Sequence, residues 1–278
     1  MGAALAVASC AFVGAPDSAQ AQEILLTGPL AGSPAVRKIK MYREGRIELA
    51  PTVSFSLLDE YQRQIFVGAR LNYNITDWLA IGGWGTFSPS VMHFPAQLSD
   101  EIQDVNEQRE GTNELSETLT RNNIGNEFSD QLSRIDYVGA AQITVVPFRG
   151  KVAIFQNLYA DTDLYFFGGA AAVGVTERAD CVNAECDTGV FPIAKRTAIA
   201  PTFGVGFSFY ANRWMAFGLE WRGLPFARSL AGFDNRGADP GERFPDRNVD
   251  ETDRELKFNQ MLSVSWGFYL PLDYKVSE

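Results

Sequence analysis

This 278-residue chain is short of the side chains that most protein chemistry draws on. It has one histidine, His93, and three cysteines. Its 24 lysines and arginines are outnumbered by 34 aspartates and glutamates, for a net charge of −10. A single histidine leaves no cluster with zinc-ligand spacing, and no glycine-rich loop ahead of a helix offers a phosphate cradle. Gly168-Gly169 falls inside an apolar alternating segment, where it has no geometry for holding a nucleotide. The acidic balance argues against nucleic acid as a partner. No catalytic set, cofactor or metal is expected. Beyond residue 21 no run reaches the roughly 18 apolar residues that a membrane-crossing helix requires. A mean hydropathy of −0.11 suits a soluble protein, yet a β-barrel commits only alternate residues to lipid and scores the same.

Eight segments alternate apolar and polar residues and read as strands: 46–58, 63–76, 77–88, 135–148, 161–176, 196–211, 214–228 and 256–270. Their connections differ in kind. The second, fourth and sixth are tight: Asn74-Ile75-Thr76-Asp77, Phe148-Arg149-Gly150-Lys151 with a short continuation, and Asn212-Arg213. The third, fifth and seventh are long and polar, over 89–134, 177–195 and 229–255. A transmembrane barrel has short periplasmic turns on one rim and long outer loops on the other, whereas a soluble β-sandwich has no reason to polarise its loops. Tyr73 and Trp78 flank the first tight turn, and Tyr210 and Trp214 the third, as an interfacial aromatic girdle predicts. The expected fold is all-β: an eight-stranded antiparallel transmembrane barrel with a partly helical long outer loop. The expected location is the outer membrane of a Gram-negative bacterium. The termini are then periplasmic, the long loops extracellular, and lipid and lipopolysaccharide surround the wall.

Successive side chains of a strand point to opposite faces. In the last strand Leu256, Phe258, Gln260, Leu262, Val264, Trp266, Phe268 and Leu270 share the lipid face. Lys257, Asn259, Met261, Ser263, Ser265 and Gly267 share the interior. The first and sixth strands repeat the pattern, with Gly, Ala, Ser and Thr dominating the inward face, as a narrow barrel demands. The same parity places Glu48, Arg70, Gln142, Glu220 and Arg222 inward. Two carboxylates and two guanidiniums in a low-dielectric lumen must pair. A structural charge cluster of Glu48, Arg70, Glu220 and Arg222 that plugs the lumen is favoured over a polar path for a solute or proton. Trp84 also falls inward, and a bulge in the glycine-rich 82–85 stretch would turn it outward.

The first 21 residues are apolar and end Ser18-Ala19-Gln20-Ala21, an A-x-A-type site, so 1–21 reads as a signal peptide although no Lys or Arg precedes its apolar core. Val7-Ala8-Ser9-Cys10 is a weaker lipoprotein-like reading. Residues 22–45 form a basic periplasmic lead with Arg37, Lys38, Lys40 and Arg43, either a tether for an acidic partner or a solvated segment. Residues 46–278 form the barrel. Cys181 and Cys186 lie in one outer loop and, in an oxidising compartment, are expected to form a local disulfide.

In the loop 89–134, Leu98, Ile102 and Val105 recur at helical spacing, and Leu115 and Leu119 follow Gly111, which predicts a helix–turn–helix cap. Its polar positions are acidic, as are those of 229–255. The run Asp234-Asn235-Arg236-Gly237-Ala238-Asp239 departs from a calcium-loop pattern, so a solvated acidic surface is expected. Ser88 and Ser90 lie near His93, which permits a serine–histidine dyad in principle. A lone loop histidine is more often incidental.

Gly45-Arg46-Ile47-Glu48-Leu49-Ala50-Pro51, continued by Ser56-Leu57-Leu58-Asp59-Glu60-Tyr61, resembles the start of the barrel in a myxobacterial-type outer-membrane β-barrel family. Asn74-Ile75-Thr76-Asp77-Trp78-Leu79-Ala80-Ile81-Gly82, Gly150-Lys151 and Asp163-Leu164-Tyr165-Phe166-Phe167-Gly168-Gly169 resemble later landmarks of that family, over roughly 40–275. These motifs punctuate a barrel and mark no chemical site. Some similar barrels belong to gliding-motility machinery, so the resemblance implies an envelope-complex role with periplasmic or outer-membrane protein partners. More distantly the architecture resembles the small OmpA, OmpX and OmpW barrels. OmpW-like passage of hydrophobic solutes is the alternative, and lipid A modification, which some such barrels perform, a remote one.

Overall fold

The alternation read from the sequence becomes nine strands in the computed structural model, which describes residues 42–109, 128–154, 158–178, 192–212, 214–232, 249 and 251–271. In chain order they are β1 (Ile47–Leu57), β2 (Gln62–Asn74), β3 (Leu79–Phe87), β4 (His93–Pro95), β5 (Arg134–Ile154), β6 (Leu158–Arg178), β7 (Ile193–Asn212), β8 (Met215–Arg228) and β9 (Glu255–Leu270). One helix, α1 (Gln97–Arg109), follows β4. Every ladder is antiparallel, and β1 pairs with both β2 and β9. The order β1–β2–β3–β5–β6–β7–β8–β9 therefore closes on itself as an eight-stranded barrel. The three-residue β4 adds to the loop-side end of β2, from Gln62↔Pro95 to Gln64↔His93.

Side-chain parity holds around the ring. In β1, Ile47, Leu49, Val53 and Phe55 are exposed while Glu48, Ala50, Thr52 and Ser54 are buried. In β9, Val264, Trp266 and Leu270 are exposed while Met261, Ser263, Ser265 and Tyr269 are buried. A closed sheet with its small and polar residues inside turns the usual soluble arrangement inside out.

Three expectations change. Phe148-Arg149-Gly150-Lys151 is ladder, not turn, because β5 and β6 stay paired to Ile154↔Leu158. Pro147 cannot donate to a ladder, and a register shift between Val145 and Phe148 takes it out of the pairing. Beyond it, Arg149↔Asp163 sets opposite charges at facing positions. Trp84 points inward, since the ladders flanking β3 run unbroken from Ala80 to Phe87 with no bulge. The interior is also not filled by small residues alone. Its loop-side half is packed with Phe66, Ile135, Val138, Val173, Val175, Leu224, Phe226 and Met261.

The helix α1 matches the spacing of Leu98, Ile102 and Val105. The expected second helix around Leu115 and Leu119 lies outside the described residues, as do residues 1–41 with the signal peptide and most of the lead, and the Cys181 and Cys186 pair. On the loop side Tyr61, Ile102, Phe128, Leu132 and Ala231 make a small second core, and Tyr61 meets Phe128 edge-on at 5.8 Å. Ser99 Oγ donates to the Tyr61 carbonyl at 2.5 Å, fixing the start of α1 over the β1–β2 turn.

Candidate functional site

The parity that sends Glu48, Arg70, Glu220 and Arg222 inward also brings them together. Arg70 on β2 reaches two carboxylates at once: Nη2 to Glu48 Oε1 at 2.7 Å and Nη1 to Glu220 Oε2 at 2.7 Å. The second oxygen of Glu220 takes Arg222 Nη2 at 2.7 Å. The order Glu48–Arg70–Glu220–Arg222 alternates in sign, so charge is balanced within the cluster. Every side chain in it is buried.

Neutral groups complete the coordination. Arg70 donates to the Tyr165 hydroxyl at 2.7 Å, and that hydroxyl donates to Glu220 at 3.2 Å. Asn72 Nδ2 donates to Glu48 at 3.2 Å. Arg222 donates to Thr202 Oγ1 at 2.9 Å and Gln142 Oε1 at 2.8 Å. Its guanidinium carbon lies 4.1 Å from the Trp84 ring centroid and 4.2 Å from that of Phe167. Both faces of the cation are thus covered by aromatic rings, an arrangement that favours a desolvated guanidinium.

Glycines make room for these rings. A Cβ on Gly206 would stand 2.3 Å from the Tyr165 ring, and one on Gly204 would stand 2.3 Å from Phe167. The small inward residues of β7 are notches that seat the aromatics holding Arg70 and Arg222. Parity in the sixth strand sends Thr202 inward, whereas Tyr165, Phe167 and Asn72 are not singled out by the sequence. β6 is apolar on both faces around Tyr165, so alternation alone does not reveal its phase. The opposing Gly204 and Gly206 are the signal that could have found the pair.

A second polar layer closes the turn-side mouth. Arg43, from the lead, is buried rather than solvated. Its Nη1 lies 3.1 Å from Asp163 and donates to the Tyr210 hydroxyl at 3.2 Å. Its main-chain N–H donates to Asp77 Oδ1 at 2.7 Å. Arg149 donates to the Asp77 carbonyl, so one turn anchors both arginines. Arg37, Lys38 and Lys40 lie outside the described residues.

Ser88 and His93 meet at the loop-side rim, with Ser88 Oγ 2.8 Å from His93 Nε2. The Ser88 hydroxyl also lies 2.9 Å from the Ile65 carbonyl, to which it can donate. The one hydroxyl proton is thus shared between two acceptor positions, the Ile65 carbonyl and the His93 ring, and the contact holds β4 against the rim. Burial, with a smaller contribution from Arg134, holds the imidazole below its usual range, against an opposing pull from Asp136. The contact is made by Ser88 and not by Ser90. Among the described residues no group of three or more His, Cys, Asp or Glu side chains could hold a metal.

No family model matches the chain, and no curated protein matches it, so the myxobacterial-type resemblance gains no support from either comparison. Among solved structures the chain is similar to the N-terminal β-barrel domain of OprF from Pseudomonas aeruginosa, at 10% identity over 82% of this chain and 98% of that one, with a TM-score of 0.41. It is similar to the outer membrane protein OprG from the same organism at 7% identity, 84% and 99% coverage and a TM-score of 0.41. The attachment invasion locus protein Ail of Yersinia pestis follows at 10% identity, 82% and 99% coverage and a TM-score of 0.33.

Replacing Glu220 by Gln leaves two buried guanidiniums sharing one carboxylate. A loss of about 3 kcal/mol or more is expected in denaturant unfolding. Gly206→Ala should destabilise by about 1–3 kcal/mol through overpacking, and much less in a Tyr165→Ala background, where the notch is empty. Because the imidazole of His93 is depressed, its contribution is complete above the ordinary value of about 6.5 and is lost as pH falls through the lower folded value. Amide exchange at β4 should accordingly quicken on acidification, and His93→Gln should remove that pH dependence.

Proposed function

We propose that this chain is an outer-membrane β-barrel that works as a closed scaffold, an anchor or component of an envelope complex, rather than as a pore or an enzyme. The observation that carries this reading is the filled interior. From the turn side inward, Arg43 and Asp163 occupy the mouth. The Glu48–Arg70–Glu220–Arg222 cluster comes next, followed by an apolar layer in which Phe66, Val173 and Leu224 are wholly buried. An ion crossing this stack meets a balanced salt-bridge layer and then a packed, mainly apolar layer that offers little to replace its water. At the loop-side rim a small cavity of about 90 Å³ lies among Ser56, Asp59, Gln64, Arg228 and Asn259.

The membrane part of the proposal is supported by the outer face. Leu71, Ile81, Ile143, Phe217, Leu219 and Trp266 are all exposed on a closed wall, and a contiguous apolar surface of that extent is stable only against hydrocarbon. Trp214 stacks on Phe268 at 6.0 Å beside the β7–β8 turn, where an interfacial girdle is expected. Lipid and lipopolysaccharide then surround the wall, and protein partners have the loops and the amino-terminal lead to engage. Motility-linked complexes are the partner class that the family resemblance suggests. The packed apolar layer speaks against the alternative of a narrow passage for hydrophobic solutes.

In planar bilayers the purified barrel should give no persistent conductance. Glu220→Gln should stay silent too, because the apolar layer remains; stable unitary steps in the unaltered protein would overturn the closed-scaffold reading. Val264→Lys, on the outer face, should cost about 2–4 kcal/mol in vesicles if it lies near the bilayer centre. On a water-facing wall it would be close to neutral.

A further inference from the structure

The wall is not zipped along its whole height. β7 and β8 pair from Asn212↔Met215 up to Phe203↔Gly223, yet β7 runs on to Ile193 and β8 to Arg228. Following the same register loopward, Pro201 stands opposite Pro225. Neither has an N–H to donate, and no pairing resumes beyond them among the described residues. Each strand keeps its other neighbour: β7 follows β6 to Arg178↔Ile193, and β8 follows β9 to Arg228↔Glu255. Pro51 on β1 is a useful contrast. There the ladder with β9 skips Ala50 and Pro51 and resumes at Thr52↔Ser265.

Side chains take over where the main chain stops. Arg196 on β7 donates through Nη2 to the Ala227 carbonyl on β8 at 2.6 Å. Glu177 on β6 holds Arg196 Nε at 2.6 Å and Arg254 Nε at 2.7 Å, and accepts the Ser229 N–H at 3.4 Å. One buried carboxylate thus joins β6, β7, the segment after β8 and the residue before β9. The foot of the break is closed by Phe203, Trp221 and Phe258, with ring centroids 5.9–6.4 Å apart. Phe258 fits because Gly223 has no Cβ, which would stand 2.9 Å from the ring. Behind the break lie Leu224, Phe226, Ala198 and Ala200 of the apolar layer.

We propose that the loop-side halves of β7 and β8 form a seam that opens as a unit, independently of the rest of the wall, with the Glu177 carboxylate as its clasp. Segments held by few main-chain bonds open at lower free energy than the ladders beside them. An apolar band of about 25 Å, crossed by strands tilted about 40°, takes about ten residues. Counted from Trp214, it ends near Gly223 and Pro225. The seam therefore stands at the outer interface, where water can satisfy main-chain groups that the bilayer interior could not. The membrane reading sets only which solvent the seam meets; the opening itself rests on the register and the clasp.

Spin labels on the full chain in bilayer nanodiscs, with the native cysteines replaced by serine, test this directly. One pair, Thr197→Cys with Ala227→Cys, spans the seam. A control pair, Phe207→Cys with Leu219→Cys, spans facing positions of the zipped half. The seam pair should show a second, longer distance population absent from the control. Glu177→Gln should enlarge that population by about tenfold or more, since it weakens the charge-assisted bonds to both Arg196 and Arg254 and a loss of about 1.4 kcal/mol is already tenfold. Pro201→Val with Pro225→Val, which restores two donors, should shrink it. A seam pair as narrow as the control overturns the proposal, and so does a folded Glu177→Gln protein with an unchanged distribution. Should Glu177→Gln fail to fold, Arg196→Gln breaks one of these bonds from the other side and is read in the same way.

Discussion

The position of Glu220 between Arg70 and Arg222 is the interaction on which the interior depends. A carboxylate in a dry lumen is costly unless its oxygens are taken up, and each arginine is equally costly alone. Glu220 gives one oxygen to each cation, and Glu48 balances the remaining charge through Arg70. This four-residue chain draws on β1, β2 and β8, so it links the β1–β2 hairpin to β8 across the intervening β9 of the closed ring. Tyr165 and Thr202 add β6 and β7, and Gln142 adds β5. Hydrogen bonds inside the barrel thereby report on closure of the sheet outside it.

The two halves of the interior do different physical work. The turn-side half is ionic and specific: each charged group of the cluster meets one of opposite sign, which fixes how the strands stand against one another. The loop-side half is apolar and fills volume. Between them Trp84 belongs to both, packing in the apolar cluster and covering Arg222. Several polar atoms near this junction, among them Thr86 Oγ1, Gln142 Nε2 and Thr144 Oγ1, have no partner among the described residues, and sites of this kind are where buried water is commonly held.

The barrel was legible in the sequence because period-two alternation and loop-length polarity are independent signals. The charge cluster was legible because parity alone sends Glu48, Arg70, Glu220 and Arg222 to one side. What alternation could not supply was phase in strands apolar on both faces. Tyr165 and Phe167 therefore carry no readable phase, and Trp84, which parity sends inward, is the lid on Arg222. Nor does alternation mark where a ladder continues through a proline. Pro147 made the following residues look like a turn, although the bulge lets β5 and β6 run on to Ile154↔Leu158. The amino-terminal lead was misjudged at Arg43 for a different reason. Its partners Asp77, Asp163 and Tyr210 lie 34 to 167 residues away, a separation that no local pattern records.

The notches at Gly204 and Gly206 bear on the order of assembly. Tyr165 and Phe167 seat into them across the β6–β7 ladder, and Arg222 is then enclosed between two rings with no opening wide enough to admit it later. Placing Arg222 and closing the sheet are therefore coupled, since the rings that cover it stand on β3 and β6 while the arginine itself stands on β8.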